Sequence, residues 1–463
     1  MSTLQPVSAQ AHAPAHPVMV DALSCERHSE RAAAEVAERL GAALAGRAGL
    51  SAQTDVLLVF VSAHHARSLG EIERVLTARL APRHVLMVAG EGVIAGALEV
   101  EAAPGIGALA CVLPGVSVTT FSSDDLPMSL GIDPPARAEG EGHAAAHDDD
   151  LSRIAQRVGI VPGHRATIVL ADPFSTPIEG VLGTFSRARA LCSPGGAGSA
   201  QGAEAEHRRG VIAGGFASAA TRPGGNALMV DGRLQSSGLI GLSLGGAIRA
   251  DAVVSQGCKP FGPPMIVTSA RGPMVRTLGG RPALDVLGEC IQTLTEAERQ
   301  NLAGGLLLGR VVNEYKATFG RDDYLMRNVV GVIKQEKALA MAEPMRVGQT
   351  VRFHVRDATT AHDDLALLMD AQAMHERPVG GLLFTCNGRG TRLFPRPHHD
   401  AELVQRAFAG AVPGETRAKA GTAIGMAPLI PLAGFFAAGE VGPVGDGVFL
   451  HGQAASLVLF RAP

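Results

Sequence analysis

Short apolar runs, each closed by a glycine-rich turn and followed by a stretch of helical period, recur three times along the chain. The clearest begins with residues 381–385 (GLLFT) and turns through Cys386, Asn387, Gly388, Arg389 and Gly390. Apolar residues then fall near i, i+3 and i+4 over 400–408, which predicts a helix. The chain returns through 430–443 (IPLAGFFAAGEVGP), turns at Asp446 and Gly447, and closes with a strand over 455–460. A middle copy runs from the strand 166–174 through a helix at 177–191 to 211–217 (VIAGGFA), the turn Asp231-Gly232 and 238–244. Gly214 there aligns with Gly434 of the last copy. A first copy comprises 55–62, a helix over 69–80, a strand over 85–92 and a closing strand over 105–113, with Glu91 matching Glu440. The expectation is therefore an α/β (α+β) protein with mixed sheets, built from three β-α-β-β repeats.

Other segments break this plan. Residues 1–22 read as a disordered tail, with no basic stretch leading into an apolar run as in a secretory signal. A helix over 25–45, capped by Ser24, is expected to dock on the first sheet. Residues 135–150 and 193–210 are poor in large apolar side chains and read as loop insertions. Between 260 and 373 the pattern gives a hairpin around Arg271-Gly272, helices over 283–294 and 363–373, and strands over 306–312, 324–333 and 350–356. That stretch is expected to form an inserted α+β layer. Two domains follow, 23–252 with two repeats and 253–463 with the inserted layer and the third repeat over 380–460, since 463 residues exceed one ordinary core.

Composition narrows the function classes. Forty-one basic against 44 acidic residues give a net charge of −3, which argues against a nucleic-acid partner. No apolar run approaches the roughly 20 residues that cross a bilayer, so a cytoplasmic protein with no membrane partner is expected. The six cysteines are scattered without a C-x-x-C pair, and the histidines show no ligand spacing, so neither a disulfide framework, a metal nor a cofactor is expected.

Four spaced motifs carry a family resemblance: GGFAS at 214–218, VSQGCKPFGPP at 254–264, CNGRG at 386–390 and GFFAAGEVGP at 434–443. In this order they resemble the FIST proteins, with a FIST N domain followed by a FIST C domain. The first copy departs from the family pattern at Val88 and Ala89, where a cysteine and a small polar residue are expected. The resemblance implies a small-ligand sensor of signal transduction, with amino acids or related small carboxylates as ligands. It brings no catalytic residue. Output is then expected through a separate signalling protein or a homo-oligomer.

The candidate ligand site joins Cys386, Asn387, Gly388, Arg389 and Gly390 to Gly439, Glu440 and Gly442. Glycines 388 and 390 permit a turn whose N–H groups converge on an anion, Arg389 offers a bidentate fork, and Glu440 offers a carboxylate to a cation. Pairing of the two strands within one unit is expected to place both turns at one sheet edge. The same turn also reads as a plain strand-to-helix connection with a surface arginine. Two other readings stand beside the sensor: a hydrolase or transferase using Cys258 or Cys386 with His451 as base, and a haem-based gas sensor using His64, His65, His398, His399 or His451.

Overall fold

The computed structural model describes residues 14–47, 54–126, 150–192, 210–409 and 429–463. The insertions expected at 135–150 and 193–210 fall almost wholly outside these residues, as does the start of the N-terminal tail. Within the stretch expected to be a tail, Val18–Ser24 forms a strand paired with Ile106–Val112. The first helix accordingly starts later, at Ser29–Gly46.

Three sheets of six strands share one strand plan. At the centre of each is a parallel pair: Val56–Ser62 with His84–Gly90, His164–Ala171 with Val211–Phe216, and Gly380–Cys386 with Leu432–Ala437. We call these sheets I, II and III. On one side of each pair lie two antiparallel strands: Ile106–Val112 and Val18–Ser24 in sheet I, Leu239–Gly246 and Val116–Ser122 in sheet II, and Ala455–Arg461 and Arg249–Ser255 in sheet III. On the other side lies a hairpin. Both faces of the parallel pairs are covered, which is why those strands read as unbroken apolar runs.

The hairpins do not stay with the strands that precede them in the chain. Val93–Ala95 and Leu98–Val100 leave sheet I to join sheet III beside Leu432–Ala437. Leu228–Val230 and Arg233–Gln235 leave sheet II for sheet I. Glu440–Val444 and Gly447–His451 leave sheet III for sheet II, against Val211–Phe216. The strand ending at Cys386 does pair with its return strand Leu432–Ala437, and only the continuation Glu440–Val444 crosses to sheet II. Close approach demands glycine within the parallel pairs: a Cβ on Gly214 or Gly434 would fall 1.8 Å from the carbonyl oxygen of Val169 or Leu383.

Inner faces of the three sheets meet in one apolar cluster, with Phe60 stacked on Phe435 at 5.7 Å and Phe384 edge-on to both. Helices cover the outer faces. Ser29–Gly46 and Leu69–Leu80 pack on sheet I, Ile178–Leu191 on sheet II, and Ala358–Gln372 with His399–Phe408 on sheet III.

The inserted segment is a closed sheet and not an open layer. Its strands run in the order Cys258–Arg271, Thr350–Arg356, Leu306–Val311, Tyr324–Ile333, Ala338–Met341, Met274–Leu278 and Arg281–Pro282, and the first pairs back onto Met274–Leu278. Closure is possible because the first strand is 14 residues long and bends where its register with Thr350–Arg356 shifts between Phe261 and Met265, around Gly262. Its two halves therefore serve different neighbours. Phe261, stacked on Phe353 at 5.6 Å, helps fill the interior of this barrel.

Candidate functional site

Arg389 follows the strand Gly380–Cys386 and is fully buried, which a guanidinium tolerates only with a partner. Its Nε and Nη2 donate to the Asp400 carboxylate at 2.7 and 2.8 Å, and Asp400 also accepts from Thr385 at 2.7 Å. Burial opposes ionisation of Asp400, yet the Arg389 charge and the bonds from Arg389, His399 and Thr385 outweigh it and hold the carboxyl below its ordinary range. The fork expected for a ligand carboxylate is therefore spent inside the protein. Only Nη1 is left without a partner. It points toward Gly257, where a Cβ would sit 2.9 Å away.

The anion-binding turn is also taken internally. Gly390 adopts a φ of 55°, and the next N–H, of Thr391, donates to the Glu101 carboxylate at 3.0 and 3.1 Å, with Thr391 Oγ1 adding a bond at 2.9 Å. Gly388 is required for a different reason, since a Cβ there would lie 2.7 Å from Gln453 Oε1 and 3.2 Å from Arg356 Nη2. Arg356, from the barrel, donates through Nη2 to the Gly388 carbonyl.

Glu440 reaches the same place from sheet II, although Cys386 belongs to sheet III. It is fully buried and its Oε2 accepts the Ala454 N–H at 3.1 Å. Burial pushes its carboxyl up to about 8, against the pull of the Ala454 and Cys386 bonds and the Arg389 charge. Burial, reinforced by Glu440, likewise drives the Cys386 thiol far above its ordinary range. Asn387 lies partly exposed beside that thiol, its N–H bonded to the Ala437 carbonyl at 2.8 Å. Gly439 and Gly442 are packing positions: a Cβ would meet Leu450 at 3.0 Å and Val254 at 2.3 Å respectively.

Sequence reasoning missed Gln256, which stands in the 254–264 motif without being read as a site residue, and Arg356 and Gln453, which match no motif. Together with Arg389 Nη1 and Glu440 Oε1, the atoms Gln256 Oε1, Arg356 Nε and Gln453 Oε1 are buried without a hydrogen-bond partner. Gln453 also holds a left-handed φ of 63°. Cys258, next to Gly257, is neutral as well, its thiol pushed up to about 12 by burial despite Arg389 and Arg356. Of these residues Cys258, Cys386, Arg389 and Glu440 are buried, while Gln256, Arg356, Asn387 and Gln453 are partly exposed.

Other candidate residues bond within the chain, although His65 Nε2, Glu99 Oε2 and His451 Nδ1 are likewise buried without a partner. Asp172, at the matching strand end of sheet II, accepts from Asn226 at 2.9 Å, Ser175 at 2.6 Å and the Phe174 N–H at 3.2 Å. Glu91 pairs with Arg392. His451 is buried with Nε2 on the Gly442 carbonyl at 3.1 Å, and burial lowers it to about 4. His65 is buried beside Ser29 at 3.0 Å, His64 is exposed, and His398 Nδ1 accepts the Glu99 N–H at 2.9 Å. Among the described residues no three His, Cys, Asp or Glu side chains group to hold a metal ion.

The FIST N domain family matches residues 55–281, and the FIST C domain family matches 283–443. The chain belongs to the FIST family. It is 42% identical over 252 residues to an uncharacterised protein of Mycobacterium tuberculosis, a match spanning 54% of this chain and 61% of that relative. An uncharacterised protein of Mycobacterium bovis is 40% identical over 252 residues, spanning 54% of this chain and 60% of the relative. The matches therefore cover less than two thirds of these relatives. FIST domains are predicted sensory domains of signalling proteins, and the site described here draws on both: Gln256 and Cys258 lie in the FIST N match, while Arg356, Cys386, Arg389 and Glu440 lie in the FIST C match. Among the described residues no helix is long and apolar enough to cross a membrane.

Proposed function

We propose that this FIST protein is a small-molecule sensor whose ligand rests on Cys386, Arg389 and Glu440, between the partly exposed residues Gln256, Asn387, Arg356 and Gln453. One observation supports the reading: Arg356 and Gln453 converge on Gly388, next to Arg389, and each of the three keeps a buried polar atom without a partner, as does Glu440 beside Cys386. Leaving each unpaired costs about 1–3 kcal/mol, a cost that a ligand relieves. Arg389 Nη1 and Arg356 Nε supply donors while Gln256 and Gln453 supply acceptors, a polarity suited to an amino acid or a related small carboxylate with a second polar group. The protein acts by binding and not by turnover, since burial keeps both thiols protonated near neutral pH. We further infer that sheets I to III are copies of one β-α-β-β unit, on the strength of their common strand plan, and that the protein works in the cytoplasm, passing its state to a separate signalling protein or to a second copy.

A thermal-shift screen against amino acids and small carboxylates tests the site. A ligand at 100 times its Kd adds about 2.7 kcal/mol to stability. Gln453→Ala and Glu440→Gln should each shrink the shift caused by any hit, Gln453→Ala by weakening affinity roughly two- to tenfold for one neutral hydrogen bond. A hit whose shift is the same in both variants sinks this placement.

A further inference from the structure

Outside the polar cluster, two histidines 37 residues apart in sequence meet at the surface. His362 is exposed on the helix Ala358–Gln372, and His399 opens the helix His399–Phe408. His362 Nδ1 and His399 Nε2 lie 3.0 Å apart. His399 is fixed from two further sides. Its Nδ1 is 2.9 Å from Asp400 Oδ1, and its ring stacks on Phe394 with 3.4 Å between centroids and 12° between planes.

Both Asp400 oxygens accept from the Arg389 guanidinium, so the carboxylate accepts from His399 as well and Nδ1 donates that bond. The neutral ring then presents the lone pair of Nε2 outward, toward His362. A carboxylate gripping the far nitrogen of an imidazole is the arrangement that orients histidine toward a metal ion. The geometry points to a two-imidazole site for a divalent first-row transition cation, formed by His362 and His399 on the outer face of sheet III. Imidazole nitrogen suits Cu²⁺ and Ni²⁺, which bind such ligands more tightly than the earlier divalent metals. The exposed ring of His362 swings its lone pair onto the cation while His399 stays in place, and water fills the other positions. Without a cation the same two nitrogens share one proton.

The test uses the full chain without an affinity tag, stripped of metal and titrated with Ni²⁺ by calorimetry, with Cu²⁺ bound for electron paramagnetic resonance. The expected result is one saturable equivalent with two coupled nitrogens in the Cu²⁺ spectrum. His362→Ala, a change at an exposed position, should weaken that equivalent at least tenfold and leave one coupled nitrogen. No saturable binding, or an affinity and spectrum unaltered by His362→Ala, would overturn the site.

Discussion

The ends of two equivalent strands behave in opposite ways. After His164–Ala171, in sheet II, Asp172 has three donors on its carboxylate and leaves no buried polar atom of its own unpaired. After Gly380–Cys386, in sheet III, the backbone plan is the same, yet Arg389 keeps Nη1 without a partner, and Glu440, Gln256, Arg356 and Gln453 each have an unpaired buried atom. One strand end has been closed by its own side chains and the other left open. Buried polar groups are nearly all satisfied in proteins, so the unpaired atoms at the second end call for an explanation, and the proposed ligand supplies one.

Removing the Arg389 anchor should break the comparison most strongly. Asp400→Asn leaves a buried guanidinium without its counter-charge, at about 3–5 kcal/mol, measurable as a lower urea midpoint. Arg389→Ala carries the same penalty from the other side, so it is a poor probe of ligand contact. Asp172→Ala strands the Asn226 amide and the Ser175 hydroxyl and should cost less, about 1–3 kcal/mol, without altering ligand binding. Equal losses for Asp400→Asn and Asp172→Ala in urea titrations would erase the distinction between the two ends.

A second contrast is in pH. Glu440 keeps its proton to about pH 8 when folded, whereas the unfolded carboxyl gives it up near 4.5. The folded state binds more protons across that window, so its stability falls as pH rises from about 4.5 to about 8. Glu99, also raised to about 8, adds to the same slope. Glu440→Gln should flatten part of the slope in a series of melting temperatures, while Asp172→Asn should not. The smallest effect is expected at the partly exposed Glu101: Glu101→Ala frees the Thr391 N–H and should change stability by no more than about 1 kcal/mol. A larger loss would mean that this internal carboxylate holds the turn in shape.

Much of this was legible from pattern alone. The helices over 69–80 and 177–191 and the strand over 324–333 stand within a residue of where periodicity put them, because local amphipathicity decides them. The strand ending at Cys386 pairs with Leu432–Ala437 as its pattern suggests, and Glu440 comes to lie beside the Cys386 thiol although its own strand belongs to sheet II. Which sheet accepts a hairpin depends on contacts hundreds of residues away, and nothing in the run from Glu440 to Gly447 encodes a preference for Val211–Phe216 over its own neighbours. The burial of Arg389 was invisible for a similar reason: Asp400 and Glu101, which occupy its fork and the neighbouring turn, read as an ordinary helix start and an ordinary loop acid. Barrel closure hinged on one bend near Gly262 that a cluster of prolines and glycines signals only as a boundary.

The exchanged hairpins set an order of events during synthesis. Val211–Phe216 leaves the ribosome with one edge bare, and the strand that covers it, Glu440–Val444, follows roughly 220 residues later, a delay of about 10–45 s at 5–20 residues per second. Through that interval sheet II offers an unpaired apolar edge to any other nascent chain. The hairpin of Val93–Ala95 and Leu98–Val100 waits longer still for Leu432–Ala437, so none of the three sheets but the first can be completed before the last part of the chain has emerged.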